Sequence, residues 1–253
     1  MAKLAKRQAR EETGLFLLEG PQAVREALAA RPDRVTEVYG TPAAFERHGD
    51  IADAARGAGV PVHLAGEQVL EAMADTVAPQ GVVAIARQFP AELAEVLAHG
   101  PRLVAVCDQV RDPGNLGTII RAADAVGADA VVLTGRTVDP FNPKVVRATT
   151  GSLFHVPICR GADVGGVIDQ LRGAGLRVVA ADVKGRDLPT ARAELRRPTA
   201  WLFGNEAHGL DDDALARADT AVRLPIYGAA ESLNLAIAAG VCLYASAFAQ
   251  RLP

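Results

Sequence analysis

Apolar and polar positions alternate in two different rhythms along the chain. In the first ninety residues, short apolar runs are separated by amphipathic stretches. Strands are expected at Leu15–Leu18, Val35–Tyr39, Val60–Leu64 and Gly81–Ala86. Helices are expected at Pro21–Ala30, Pro42–Gly57 and Gly66–Met73, the first two opening on a proline, which suits a first helical turn. From Pro101 onward, longer β-branched runs recur at Leu103–Cys107, Ala130–Leu133, Arg177–Ala181, Ala200–Phe203 and Ala221–Leu224, with helical patterns between them. That alternation predicts a parallel sheet covered on both faces. The chain therefore reads as a basic arm (1–14), a small α/β domain (15–90), a linker (91–100) and a larger α/β domain (101–253). The last stretch, Ser232 to Ala249, is apolar nearly all round. It predicts a helix buried on more than one side.

Composition narrows the picture. The 253 residues are 49% hydrophobic but only 4% aromatic, so the cores must be built from Ala, Val, Leu and Ile. A net charge of −3 means that any affinity for nucleic acid has to come from local basic patches. Cys107, Cys159 and Cys242 lie far apart, in no metal-ligand spacing and in odd number, so a reducing cytoplasm and no metal are expected. The basic start leads into Glu11 and Glu12 rather than an apolar run, and no stretch reads as a membrane span.

The chemistry concentrates after the strands of the second domain, where open parallel sheets bind ligands. The segments are DQVRDPGNLGTIIRAADAVG after Leu103–Cys107, GNEAHGL after Ala200–Phe203 and PIYGAAESLNLAIAAG after Ala221–Leu224. No strand is followed by GxGxxG, and there is no GxxxxGK[ST], which argues against dinucleotide folds, phosphate-loop enzymes and ordinary Rossmann methyltransferases. The three segments, in their order and spacing, resemble motifs 1, 2 and 3 of the SpoU (TrmH-like) RNA 2′-O-ribose methyltransferases of the SPOUT class. They are Asn115 to Arg121, Phe203 to Gly209, and Leu224 to Ile226 continuing to Ser232 and Asn234. The first ninety residues are similar to that family's L30e-like substrate-binding domain.

The resemblance implies a trefoil-knotted parallel-sheet catalytic domain, a homodimer formed through it, and S-adenosylmethionine as methyl donor. By position it puts Thr134, Leu202, Gly204, Leu224, Ile226 and Leu233 around the donor. Arg121, Asn115, Glu206, Ser232 and Asn234 fall at the catalytic end. Because guanidinium stays protonated, Arg121 is read as a clamp on the flanking phosphate rather than as a literal base. For Asn115, Ser232 and Asn234, helix capping is the plainer alternative; Glu206 is expected to touch the ribose or to fix Asn115 or Arg121. His208, inside motif 2, reads as a bystander. Lys3, Lys6, Arg7 and Arg10 of the arm, with Arg147, are candidate RNA phosphate contacts. The expected substrate is 23S rRNA, in maturation or antibiotic self-protection, since the minimal tRNA enzymes of the family lack the N-terminal domain. A tRNA enzyme and a non-catalytic RNA-binding homologue are the alternatives.

Overall fold

The computed structural model describes residues 4–76 and 78–252. In chain order the first elements are α1 (Arg7–Thr13), β1 (Leu15–Glu19), α2 (Pro21–Ala30), β2 (Val35–Gly40), α3 (Pro42–Arg47), α4 (Gly49–Gly57), β3 (Val62–Leu64), α5 (Glu67–Met73) and β4 (Val82–Arg87). Next come α6 (Leu93–Ala98), β5 (Leu103–Asp108), α7 (Pro113–Ala125), β6 (Ala130–Thr134), α8 (Pro143–Thr149) and β7 (Ile158–Arg160). The chain ends with α9 (Val164–Gly173), β8 (Arg177–Asp187), β9 (Thr199–Phe203), α10 (Asp212–Arg217), β10 (Thr220–Arg223) and α11 (Leu235–Arg251).

These elements form two compact units. One comprises the residues up to Phe89 together with Asp139–His155; the other comprises Pro90–Val138 and everything from Val156 on. The first holds a four-stranded sheet, order β1-β4-β2-β3, in which β4 runs antiparallel to both its neighbours. The sequence reading assigned 139–155 to the larger domain. Its side chains explain why it packs with the smaller one. The Phe141 ring lies tilted 4.8 Å from Phe16, Phe154 stacks 5.6 Å from Phe89, and Arg31 sits 5.0 Å over the Phe89 ring. These long-range ring contacts leave no periodicity to read.

The second unit carries a fully parallel six-stranded sheet, order β10-β8-β9-β5-β6-β7. Every residue of β5, β6 and β9 is buried, as strands covered on both faces must be. Strand β7 is a sixth strand where the apolar runs announced five, its three residues being too few to stand out. Strand β8 runs on to Asp187, well past the expected end at Ala181. It pairs β10 in two registers, with the break between Ala221 and Val222. Gly185 lies against the break: a Cβ there would meet the Ala221 carbonyl carbon and Val222 nitrogen at 2.4 Å. The expected helix Pro42–Gly57 is two helices, parted at His48, whose φ of −129° lies outside the helical range.

Helix α11 buries Ala239, Leu243, Ser246 and Ala247. It leaves Ile237, Val241, Tyr244 and Phe248 exposed at 57, 45, 40 and 52%. That spacing is one continuous stripe along the helix. Trp201 of β9, fully buried, donates from Nε1 to Ser246 Oγ at 2.8 Å and so ties the helix to the sheet. Among the described residues, no helix is long and apolar enough to cross a membrane.

Candidate active site

The segment after β5 turns into α7 through an Asp–Pro pair. Asp112 is the N-cap, its Oδ1 accepting from the Asn115 backbone N–H at 2.7 Å, and Pro113 occupies the first turn. Asn115 is therefore not the cap, and its side chain is free for other work. Its Nδ2 donates to Glu206 Oε1 at 3.2 Å, and its Oδ1 accepts from Asn234 Nδ2 at 2.9 Å. Asn234 does cap its helix: its Oδ1 accepts from the N–H groups of Ala236 and Ile237. One asparagine thus caps α11 with its carbonyl and joins Asn115 with its amide.

Glu206 holds the other end of this relay. Its two oxygens accept from the backbone N–H groups of Arg111 and Asp112 at 3.1 and 3.0 Å. Partial burial pushes its pKa up. The N–H donors of Arg111 and Asp112, its own backbone and the Asn115 amide outweigh that, and the carboxyl is held below its ordinary value of 4.5. It is ionised at neutral pH, with oxygens engaged by the start of α7. This geometry has Glu206 fixing Asn115, one of the roles expected for it.

The loop carrying Glu206 is closed by backbone hydrogen bonds in both directions between Asn205 and Gly209, each 2.9 Å. Asn205 Oδ1 accepts from the Ala207 and His208 N–H groups. Only glycine fits at 204, because a Cβ would stand 2.3–2.4 Å from the Gly209 carbonyl and the Leu210 nitrogen. His208 is exposed.

The positions expected to hold the methyl donor fall in or just after β6, β9 and β10 and just before α11. Thr134 ends β6, is 1% exposed and donates from Oγ1 to Asp108 Oδ1 at 2.7 Å. Leu202 is fully buried in the core with Val104 and Val132, so only its main chain is left to face a ligand. Leu224 is half-buried, while Ile226 and Leu233 are exposed at 38 and 42%. Among the described residues, no backbone group of 225–233 makes a backbone–backbone hydrogen bond. Unpaired main-chain groups between exposed aliphatic side chains suit a ligand with an apolar face and hydrogen-bonding edges, as S-adenosylmethionine has. Among the described residues, no three His, Cys, Asp or Glu gather as a metal-ligand set.

The remaining expected residues are not joined to the relay by any contact. Arg121 is exposed on α7 and has no hydrogen-bond or ion-pair partner among the described residues. Six residues beyond Asn115, it lies about 9 Å further along the helix and roughly 120° around it. Ser232 is likewise exposed.

Two of the five basic residues read as RNA contacts are corrected. Arg10 is 1% exposed; it pairs with Asp139 at 2.8 Å and donates to the Leu4 and Ala5 carbonyls, so it cannot reach a phosphate. Arg147 binds Glu19 at 2.9 Å and Asp75 at 3.1 Å, where it anchors the turn after α5. From Arg7 the arm is helix α1, and Arg7 pairs with Glu11 one turn on. Lys6 is exposed and Lys3 lies outside the described residues. The sequence reading missed Asp112, although Asp–Pro before a helical pattern is a cap signature. It also missed Asn205, whose amide donates to the Gln109 carbonyl at 2.9 Å and whose Oδ1 closes its own loop.

The parallel sheet, the three strand-end segments and the Glu206–Asn115–Asn234 relay together define the SpoU/TrmH class of methyltransferases. The chain belongs to the SpoU rRNA Methylase family, whose model matches residues 102–244; residues 17–91 match the RNA 2′-O ribose methyltransferase substrate-binding domain. It is 34% identical over 247 residues to a 23S rRNA guanosine 2′-O-methyltransferase, RlmP, of Bacillus subtilis, covering 96% of this chain and 92% of that protein. The AdoMet-bound rRNA methyltransferase of Sinorhizobium meliloti superposes with a TM-score of 0.85 at 35% identity, covering 100% of this chain and 94% of that one. The SpoU methyltransferase AviRb of Streptomyces viridochromogenes, in complex with AdoMet, superposes with a TM-score of 0.83 at 29% identity, covering 97% and 94%.

Proposed function

We propose that this protein methylates a ribose 2′-hydroxyl of 23S rRNA, working in the cytoplasm as a homodimer of trefoil-knotted domains, with S-adenosylmethionine as donor. The observation that carries the reading is the Glu206–Asn115–Asn234 relay, which locks three sequence-distant motifs into one polar cluster. The reading is supported by the rRNA-methylating relatives, by the substrate-binding match over 17–91 and by the two AdoMet-bound neighbours.

Thr134, Gly204, Leu224, Ile226 and Leu233 would hold the donor, Leu202 contributing main chain. S-adenosylmethionine supplies an electrophilic methyl carbon bonded to a sulfonium sulfur. With the donor bound, these residues would line that carbon up with the 2′-oxygen, the C–S electron pair would leave with sulfur, and the hydroxyl proton would pass to solvent. Glu206 keeps Asn115 and the α7 N-terminus in place, Asn115 and Asn234 orient the ribose, and Arg121 grips the flanking phosphate bidentately while its charge stabilises the developing alkoxide. Ser232 adds a hydroxyl contact at the same end. Lys3, Lys6 and Arg7 meet RNA phosphate.

The dimer face is the Ile237–Val241–Tyr244–Phe248 stripe, which with Thr118 and Ala122 of α7 lines a groove of about 580 Å³.

Methyl-labelled donor and 23S rRNA transcripts test the proposal, with the modified ribose mapped by resistance to alkaline hydrolysis. Label on a base, or on tRNA in preference to rRNA, would overturn it. Replacing Arg121 with Lys should lower turnover at least tenfold, the loss expected on removing one transition-state donor being about 10²-fold or more. Near-full turnover at neutral pH would sink the clamp.

A further inference from the structure

Gln109, the first residue beyond β5, has a φ of +55°, one of two positive values at non-glycine residues among those described. Asn and Asp tolerate this left-handed region; glutamine has no local hydrogen bond to offset its strain. The backbone there is held from both sides. Gln109 N–H donates to the Thr134 carbonyl at 3.2 Å, and its own carbonyl accepts from Asn205 Nδ2 at 2.9 Å. The ends of β5, β6 and β9 are thus stitched together through this one residue.

A glycine would take this backbone without strain. The side chain is nevertheless present, half-buried, and its carboxamide has no hydrogen-bond partner among the described residues. It lies beside Gly135, where a Cβ would come within 2.8 Å of Gln109 Cγ. A strained backbone that directs a free donor–acceptor pair to the carboxyl ends of three parallel strands is the signature of a ligand contact.

We infer that Gln109 is a donor-binding residue whose carboxamide reads the polar edge of the adenine. A carboxamide presents one N–H and one C=O side by side, and adenine offers the complement at N7 and N6–H. The inference rests on the proposed donor and adds a residue that none of the three motifs contains. It also accounts for the Asn205–Gln109–Thr134 stitching as preorganisation of that contact.

The test uses the full chain, with S-adenosylhomocysteine and its 7-deaza analogue as calorimetric probes, on wild type and Gln109→Gly. Wild type should prefer the natural purine roughly tenfold, as one good edge contact allows. The variant should bind the natural purine roughly tenfold more weakly, bind the two probes alike, and melt at or above the wild-type temperature. A variant that keeps wild-type affinity and preference overturns the inference. So does one that melts several degrees lower, since the glutamine would then be structural. Failure of the wild type to bind either probe would instead count against the proposed donor.

Discussion

Replacing Arg10 with Ala separates two uses of a basic N-terminal residue. A surface phosphate contact would lose RNA affinity and leave stability alone. The structure places Arg10 1% exposed, with the Asp139 side chain 6% exposed at 2.8 Å and the Leu4 and Ala5 carbonyls as further acceptors. Removing the guanidinium takes away the cation in direct contact with the buried Asp139 carboxylate and leaves a cavity beside it. Breaking one side of such a pair costs about 3–5 kcal/mol. For a chain of this size, the lower figure corresponds to a fall in Tm of roughly 6–12 °C. Differential scanning calorimetry would record it, and a filter-binding titration across salt concentrations would give the RNA affinity. The salt slope of binding should be unchanged while Tm falls. The Arg10→Met, Asp139→Leu double variant should be less destabilised than the sum of the singles, because both members of a coupled pair are replaced together. A Tm within about 2 °C of wild type, coupled to a reduced salt slope, would refute the structural assignment.

Other outcomes follow from single contacts. Ser246→Ala strands the Trp201 indole N–H in a fully buried site and should cost about 1–3 kcal/mol, measured by urea unfolding on the fluorescence of this lone tryptophan. Glu206→Gln should leave S-adenosylmethionine affinity near wild type and lower turnover, because the relay loses its carboxylate. Its pH dependence has a defined sign: a carboxyl held below 4.5 when folded contributes stability that is complete above that value and lost as pH falls through the depressed one. The variant should therefore show a flatter acid limb of Tm against pH, and an unchanged limb would count against the relay. Val241→Lys on the exposed stripe should convert the proposed dimer to monomer in sedimentation velocity; a monomeric wild type would remove the proposed interface.

Much of the second unit was legible because strands buried on both faces are continuous apolar runs. Residues 103–107, 130–133 and 200–203 mark β5, β6 and β9 to within a residue or so. Where polarity and pairing part company, reading failed: β8 continues through Asp182, Lys184 and Arg186 because β10 supplies a partner in a second register. Local rules also located the caps only in part. Asn234 caps its helix, whereas Asp112 takes the role that Asn115 was equally fit to play.

The sequence alone determined which residue types stand at the strand ends, since element type and motif order depend on neighbours along the chain. Tertiary structure decided their partners. Arg10 became a buried ion pair because Asp139 arrives from 129 residues away. Glu206 and Asn234 meet at Asn115 across separations of 91 and 119 residues. The left-handed backbone of Gln109 comes from hydrogen bonds to β6 and to the loop after β9. Each is set by distance in space, and a hydrogen bond or a buried charge acts over a few ångströms whatever the separation in sequence.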